Sequence, residues 1–146
     1  MVISNRWMLP DGVVDVLPAQ AQLLEAIRGR MLKLFDSWGY DLVIPPMLEF
    51  TDSLHSAAGK DLELLTFRTV DPLSGKTMGV RPDITPQIAR IDAHSLRTQG
   101  PARLCYAGTV LHTRARDVLS SRTPISIGLE LFGESNISAD IEVVRL

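Results

Sequence analysis

The strongest constraint on the fold is a pair of strand-like apolar runs around one polar loop, in the stretch YAGTVLHTRARDVLSSRTPISIGLELFG at residues 106–133. Two such runs separated by a loop predict an antiparallel β-hairpin. The loop carries three arginines, Arg114, Arg116 and Arg122. Guanidinium groups bind phosphate through paired hydrogen bonds, but an ordinary solvated loop has the same composition. The hairpin is therefore either a clasp for an anionic ligand or a structural element with a charged loop.

Side chains alternate between the two faces of the second strand. One face is apolar and is expected to pack against helices, whereas the other combines two small residues with one acid. The small residues leave a hollow beside the carboxylate, which needs a partner if it is buried. That partner is either an internal arginine or the ammonium group of a ligand. The apolar face consists of Ile125, Ile127, Leu129 and Leu131, and the other face consists of Ser126, Gly128 and Glu130.

A second polar group lies in the segment GVRPDIT at residues 79–85. Arg81 is predicted to end a strand, while Asp83 and Thr85 lie where the following helix starts. Asp and Thr at a helix start usually accept hydrogen bonds from free backbone N–H groups. Asp83 and Thr85 are thus predicted either to cap the helix or to point into a cleft.

The first long element is predicted to be a helix. Apolar residues recur every three or four positions from Ala19 to Trp38, which predicts an amphipathic, core-packing helix that ends at Gly39. A short strand then ends at Pro45 and Pro46. Because proline cannot donate to a strand ladder, this pair fits a sheet edge or a crossover.

Three further elements are predicted from similar signals. Residues 64–70 and 77–81 are expected to pair as a hairpin around the turn DPLSGK. Pro86 lies near the first turn of a helix that runs to about Leu96. A closing helix begins with Ser138 as its N-cap and has little stability alone. We therefore expect the chain to be the front part of a longer protein.

Composition limits the classes of function. The chain has 146 residues, a formal charge of −2 and a pI near 5.9, so no global basic field favours nucleic acid. Its single cysteine, Cys105, is predicted to be a buried structural thiol in a reducing compartment. No signal peptide is recognisable, and no apolar run approaches the roughly 20 residues of a membrane span. We expect a soluble, cytoplasmic protein with no membrane partner.

The chain carries no motif for a metal or a bound cofactor. Its histidines, His55, His94 and His112, are scattered without the spacing of a metal site. There is also no Gly-rich phosphate loop and no Ser or Cys nucleophile motif. We therefore predict neither a metal site nor a cofactor.

Three segments resemble a known family in the order in which they occur. LPDGVVDVLPAQAQLLEAIRGRMLKLFDSWGYDLVIPPMLEF resembles the start of the class II histidyl-tRNA synthetase catalytic domain, including motif 1. MGVRPDITPQIAR is similar to that family's L-R-P-E-G-T pattern, and residues 106–133 are similar to motif 2. The resemblance implies an α+β fold, with a class II antiparallel sheet flanked by helices. It also implies that residues 1–146 are a partial core with motifs 1 and 2, dimerising through the motif-1 region, and that motif 3 and the C-terminal regions are absent.

The resemblance further implies a histidine-like ligand. In histidyl-tRNA synthetases the positions of Asp83, Thr85 and Glu130 surround the amino acid, and Ser126 stands where the family has glutamine. Motif 2 departs from the family more sharply. His112 replaces the arginine that grips the α-phosphate and the carboxylate, and Arg114 replaces the glutamate that meets adenine. Because a neutral imidazole cannot act as a permanent bidentate fork, we predict no catalytic residue and no synthetase activity.

A synthetase-like domain without this arginine resembles the regulatory subunits of ATP phosphoribosyltransferase. That resemblance implies a non-catalytic role: supporting a short catalytic subunit at the first step of histidine biosynthesis and mediating feedback inhibition by histidine. It implies a homodimer within a hetero-oligomer, and tRNA is not an expected partner. Two alternatives stay open, an active histidyl-tRNA synthetase fragment and a synthetase-like domain with another ligand or partner.

Overall fold

The computed structural model describes residues 7–54, 60–96, 99–115, 117 and 120–146. Within these ranges the chain forms five α-helices, one of them with a π-helical extension, and six strands. None of the described helices is long and apolar enough to cross a membrane. The elements are α1 Pro18–Ser37, β1 Asp41–Leu42, β2 Leu48–Phe50, α2 Thr51–Leu54, α3 Lys60–Leu65, β3 Phe67–Val70, β4 Thr77–Val80, α4 Thr85–Arg90 with a π-helical extension Ile91–Leu96, β5 Ala102–Thr109, β6 Ile125–Phe132 and α5 Ile137–Arg145.

The strands form two three-stranded sheets, in the orders β1-β5-β6 and β2-β4-β3. Three of the four strand pairs are antiparallel, and β1 pairs with β5 in parallel. The α+β class and the antiparallel sheet flanked by helices are thus confirmed. Pro45 and Pro46 lie between β1 and β2, so the proline pair marks the crossover from one sheet to the other.

The predicted hairpin of residues 106–133 is present as β5 and β6, which pair from Ala102↔Phe132 to Thr109↔Ile125. Its apolar face packs under α1, where Ile127 and Leu129 contact the buried cluster of Phe35, Tyr40 and Cys105. Cys105 is 1% exposed and free, as predicted. Ile125 departs from the prediction because it lies at the loop end of the hairpin and stays 38% exposed.

The opposite face of the hairpin packs under α4. Ile84 and Ile88 are fully buried there against Leu104, Tyr106 and Val110. The hairpin is therefore held between α1 on one side and α4 on the other. The polar residues of this second face lie beside the α4 N-terminus, which positions the candidate site.

Helix α1 confirms the predicted element, since it spans Pro18–Ser37 and Gly39 follows with a φ of +81°. Its predicted role in the core is wrong for most of its apolar residues. Phe35 alone is buried among the residues of α1, whereas Leu23 is 62% exposed and Ile27 46% exposed. An apolar stripe on α1 consequently faces outward in this chain.

Two sequence expectations fail locally. Leu64 and Leu65 end helix α3 instead of starting a strand, because the Thr66 N–H and hydroxyl return to carbonyls of that helix and the strand begins only at Phe67. Asn136, not Ser138, caps α5, and its side chain accepts a hydrogen bond from the Ser138 N–H. The helix predicted from Pro86 to Leu96 is confirmed, with its last six residues π-helical.

Helix α5 is tied to the hairpin by one carboxylate. Arg103 on β5 donates to both Glu142 oxygens at 2.7 Å, and the Tyr40 hydroxyl donates to Oε1 at 3.0 Å. Burial, together with the Glu142 carboxylate, raises the pKa of Tyr40 to about 12. A helix that is too short to be stable alone is thus held by tertiary contacts.

Candidate functional site

A chain of hydroxyl groups connects α4 to β6. The Thr85 hydroxyl donates to Glu130 Oε1 at 3.0 Å and lies 3.1 Å from the Tyr106 hydroxyl. Since the single proton of Thr85 goes to the carboxylate, its oxygen accepts from Tyr106. Burial raises the pKa of Tyr106, and the hydroxyls of Thr85 and Ser126 oppose that rise. The described hydrogen bonds run from Tyr106 through Thr85 to Glu130.

The described partner of Glu130 is a hydroxyl group, and no arginine among the described residues pairs with it. Burial raises the pKa of this carboxyl, the Thr85 hydrogen bond opposes the rise, and the Asp83 charge adds to it. Glu130 is thus a carboxylate that lacks a counter-charge among the described residues.

The hollow expected beside Gly128 is filled from within the chain. Tyr106 lies opposite Gly128 in the hairpin register. A Cβ added at Gly128 would overlap the Tyr106 hydroxyl and would lie 2.6 Å from its Cζ. Sequence reasoning missed Tyr106, although the hairpin register would have placed it across from the glycine.

An open cavity of about 380 Å³ lies next to this hydroxyl chain, at the loop end of the hairpin. Its lining includes Asp83, Ser126 and His112, which the sequence had singled out, and two loop serines. Thr85 and Glu130 do not line it, and Thr85 is hydrogen-bonded to both Glu130 and Tyr106. The structure therefore brings three of the predicted residues to one cavity and leaves Thr85 and Glu130 outside its lining. The polar lining residues are Asp83, His112, Ser120, Ser121 and Ser126.

The sequence left two roles open for Asp83 and Thr85, capping the helix start or pointing into a cleft, and the structure differs between the two residues. The Asp83 carboxylate accepts a hydrogen bond from the Ile84 N–H at 2.7 Å and also lines the cavity. Thr85 makes no cap, and its hydroxyl points to Glu130. One residue satisfies the backbone at the helix start, and the other belongs to the cleft.

His112 is a buried ring held by one hydrogen bond. It is 4% exposed, and its Nε2 lies 2.9 Å from the Pro82 carbonyl oxygen. Because a carbonyl oxygen only accepts, Nε2 carries a proton. Nδ1 is buried and has no hydrogen-bond partner among the described residues. The side chain therefore offers the cavity no guanidinium fork.

Arg81 serves the fold. Its guanidinium donates to the carbonyls of Thr109 and Pro45 at 3.0 and 2.8 Å, which joins the hairpin to the crossover between the sheets. Gly108 makes room for it, since an added Cβ would lie 2.5 Å from Arg81 Nη2. Burial lowers the pKa of Arg81, and the Glu49 charge opposes that effect.

Of the loop arginines, Arg114 and Arg122 do not line this cavity. Arg122 donates to the carbonyls of His112 and Asp11 at 3.0 and 3.1 Å and lies 5.2 Å from the Phe67 ring centroid. Arg114 lines a separate cavity together with Asp61. Arg116 and His55 lie outside the described residues. Arg122 uses its Nε and Nη1 for backbone carbonyls, which favours the structural interpretation of this residue.

The hairpin held between two helices, with its polar face beside the start of α4, defines a class II aminoacyl-tRNA synthetase-like chain. The chain belongs to the histidyl-tRNA synthetase family, whose model, described as "Histidyl-tRNA synthetase", matches residues 12–146. A solved ATP phosphoribosyltransferase regulatory subunit/histidyl-tRNA synthetase from Bacillus halodurans C has a TM-score of 0.84 and 30% identity, over 99% of this chain and 37% of that one. The predicted class II fold is confirmed.

Curated relatives carry a more specific name. The ATP phosphoribosyltransferase regulatory subunit of Stutzerimonas stutzeri is 56% identical over 146 residues, which is 100% of this chain and 37% of that protein. The subunit of the same name from Saccharophagus degradans is 59% identical over 142 residues, or 97% and 36%. The resemblance to these regulatory subunits is thus confirmed. The chain spans little more than a third of the relatives' length.

Proposed function

We propose that this chain is part of a regulatory subunit of ATP phosphoribosyltransferase that supports a short catalytic subunit and mediates feedback inhibition by histidine. The observation that carries the proposal is the 56% identity over the whole chain to a curated subunit of that name. The proposed role is non-catalytic, and tRNA is not a proposed partner. The proposed location is the cytoplasm, which the single, free and buried Cys105 supports.

The chemistry of the cavity supports a role without adenylate formation. Activation of an amino acid builds negative charge on a transferring phosphoryl group, which needs cationic groups aimed at it. At the motif-2 position the chain presents His112, whose Nε2 is committed to the Pro82 carbonyl. Arg81 and Arg122 are committed to backbone carbonyls. The described residues thus hold no cation ready to grip an α-phosphate in this cavity.

We further propose that the cleft binds a histidine-like amine. Asp83 lines the cavity and suits an ammonium group. Ser126 lines the same cavity, and Tyr106, whose pKa the Ser126 hydroxyl helps to lower, is hydrogen-bonded through Thr85 to Glu130. An ammonium in the cavity would compensate the charge of Asp83, whose repulsion contributes to the raised pKa of Glu130.

Dimerisation through the motif-1 region is part of the proposal, and the outward stripe of α1 supports it. Leu23, Ile27 and Leu34 are 62%, 46% and 39% exposed on this helix. A surface cavity of about 370 Å³ lies between Ile27, Met31 and Leu34. Exposed apolar patches of this kind are typical of protein interfaces.

The deciding experiment measures the activity of a short ATP phosphoribosyltransferase catalytic subunit with and without the full-length protein that contains this chain. We expect the protein to raise that activity and to make it sensitive to added histidine. Activity that is unchanged with the protein would overturn the proposal.

A second assay separates the synthetase alternative. We expect no ATP–pyrophosphate exchange with histidine by the full-length protein. Robust exchange would overturn the non-catalytic role and favour an active histidyl-tRNA synthetase. The names of the Saccharophagus degradans and Stutzerimonas stutzeri relatives, both regulatory subunits, favour the absence of exchange.

A further inference from the structure

The turn at residues 10–13 is fastened to the hairpin by Arg122. The Arg122 N–H donates to the Gly12 carbonyl at 2.7 Å, and its Nη1 donates to the Asp11 carbonyl at 3.1 Å. Among the described residues, these are the hydrogen bonds that tie residues 8–16 to the rest of the chain. Gly12 permits the close approach, since its φ is +75° and an added Cβ would lie 3.0 Å from the Arg122 Cγ and Cδ. The attachment of the N-terminal turn thus depends on one residue of the hairpin.

The same arginine joins the two arms of the hairpin loop. Its Nε donates to the His112 carbonyl at 3.0 Å, and the His112 N–H donates to the Arg122 carbonyl at 2.8 Å. The guanidinium also lies 5.2 Å from the centroid of the Phe67 ring on β3. Arg122 therefore connects the N-terminal turn, both arms of the loop and the second sheet.

These contacts lie at the wall of the cavity beside the hairpin loop. His112 lines this cavity, as do Ser120 and Ser121 on one side of Arg122 and Pro124 on the other. Each of these lining residues is close to Arg122 in the chain or hydrogen-bonded to it. A shift of Arg122 would therefore move part of the cavity wall.

The other arm of the loop has a separate attachment. The Thr113 N–H donates to the Leu65 carbonyl at 3.0 Å, and the Thr113 hydroxyl donates to the Leu64 carbonyl at 2.8 Å. Helix α3 thus holds the outgoing arm, whereas the N-terminal turn holds the returning arm, residues 120–124. Release of the turn should consequently loosen the returning arm more than the outgoing one.

We propose that residues 10–13 act as a strap that fixes the returning arm as one wall of the cavity. The strap leads through the exposed residues 14–17 into α1, which begins at Pro18. A displacement at the start of α1 is therefore transmitted to the cavity wall through Arg122. The strap is a conformational device that depends neither on the identity of the ligand nor on a catalytic partner.

The test displaces the strap in the full-length protein and follows amide hydrogen exchange by mass spectrometry at residue resolution. Gly12→Val places a branched side chain against the arginine at a left-handed φ. The amides of Ser120 and Thr123 donate to groups outside the strap. We expect both to exchange about tenfold faster, because their arm opens locally more often. The Thr113 amide, held by α3, should exchange as in wild type.

Gly75→Val is the matched control. Gly75 also has a left-handed φ, +71°, but nothing lies within 4 Å of its Cβ position. It introduces the same kind of backbone strain without touching Arg122, so the returning arm should exchange as in wild type. An unchanged arm in Gly12→Val, or an arm that speeds equally in both variants, would overturn the proposal. So would equal speeding at Thr113, because the effect would then be a general loss of stability.

A double variant tests whether the strap acts through the arginine. Arg122→Ala alone should also speed exchange in the returning arm, and adding Gly12→Val to it should cause no further change. Effects of the two substitutions that multiply would show that the strap does not act through Arg122. If Gly12→Val does not fold, as judged by circular dichroism, Gly12→Ala against Gly75→Ala gives the same comparison. The assay of the short catalytic subunit decides the proposed function separately.

Discussion

The Thr85 hydroxyl donates to Glu130 Oε1 at 3.0 Å, so the start of α4 is joined to the middle of β6 through a carboxylate with no cationic partner among the described residues. A half-buried acid whose described partner is a hydroxyl is costly when it is ionised, because desolvation disfavours the charged form. In a folded chain such an arrangement is tolerated more readily where a ligand compensates the charge. The relationship between these two residues therefore underlies both the proposed site and its pH dependence.

Glu130→Gln is expected to weaken binding of the histidine-like ligand by about tenfold, because the amide removes the negative end of the hydroxyl chain. Thr85 keeps an acceptor in the Gln side chain, so the local geometry is preserved. Calorimetry on the full-length protein, with the probe that the wild type binds, gives the affinity. An unchanged affinity would show that the pocket is vestigial or that histidine binds elsewhere.

The same variant should change the pH dependence of stability. Burial raises the pKa of Glu130 above its ordinary value of about 4.5, so the folded state holds this proton more tightly than the unfolded chain. Its stabilising contribution is present below that ordinary value and is lost as the pH rises through the folded pKa. Glu130→Gln should therefore gain stability relative to wild type as the pH rises above about 4.5 and through the folded pKa.

Urea unfolding at several pH values measures this effect. Glu25→Gln is the matched control, because Glu25 is an exposed residue on α1 that pairs with Arg28 at 3.3 Å. The control should follow the wild-type profile. Parallel profiles for Glu130→Gln and wild type would contradict the raised pKa.

Parts of the hairpin that depend on the pattern within one strand could be predicted from the sequence, whereas parts that depend on strand pairing could not. The alternation of residues along β6 correctly assigned Ile127 and Leu129 to the core, and the spacing of apolar residues correctly located α1. Both are local patterns that a single element determines. The Tyr106 position over Gly128 depends on how two strands pair, and a pattern along one strand does not contain the register.

Other features depended on contacts between distant segments. Arg122 has the composition of a phosphate-binding residue, but its partners include the Asp11 carbonyl, 111 positions away in the chain. The α1 stripe has the periodicity of a core-facing helix, yet it faces outward in this chain. Periodicity predicts that a face is apolar, but it does not identify the surface that will cover it.

Gly128→Ala should destabilise the fold by about 1–3 kcal/mol, the usual cost of overpacking a core. The added Cβ would overlap the Tyr106 hydroxyl and lie 2.6 Å from its Cζ. Thermal and denaturant unfolding give the change in free energy. Gly29→Ala is the matched control, because nothing lies within 4 Å of its Cβ position in α1 and alanine is the better helix former. Equal effects of the two variants would show that Tyr106 does not occupy the hollow.

Arg122→Ala should destabilise the chain by about 1–3 kcal/mol, because it removes hydrogen bonds to two carbonyls and the contact with the Phe67 ring. It should also speed proteolytic cleavage near Gly12, whose carbonyl accepts from the Arg122 N–H at 2.7 Å in the same junction. Arg28→Ala, on the surface of α1, should cost less than about 0.5 kcal/mol, the value of a single helical ion pair. If Arg122→Ala leaves both stability and proteolysis as in wild type, the arginine is not a structural clamp.

Asn136→Ala should destabilise α5 and its junction with the hairpin by about 1 kcal/mol, the usual value of an N-cap. The Asn136 side chain accepts a hydrogen bond from the Ser138 N–H at 3.1 Å, and its backbone is extended, with a φ of −81° and a ψ of 141°. Ser138→Ala removes a hydroxyl from an exposed residue inside the helix and should change stability by less than about 0.5 kcal/mol. Urea unfolding gives the free energy of unfolding of the two variants, and so shows which substitution costs more stability. The reverse order would restore Ser138 as the cap, since an alanine at a capping position leaves a helical N–H without its acceptor.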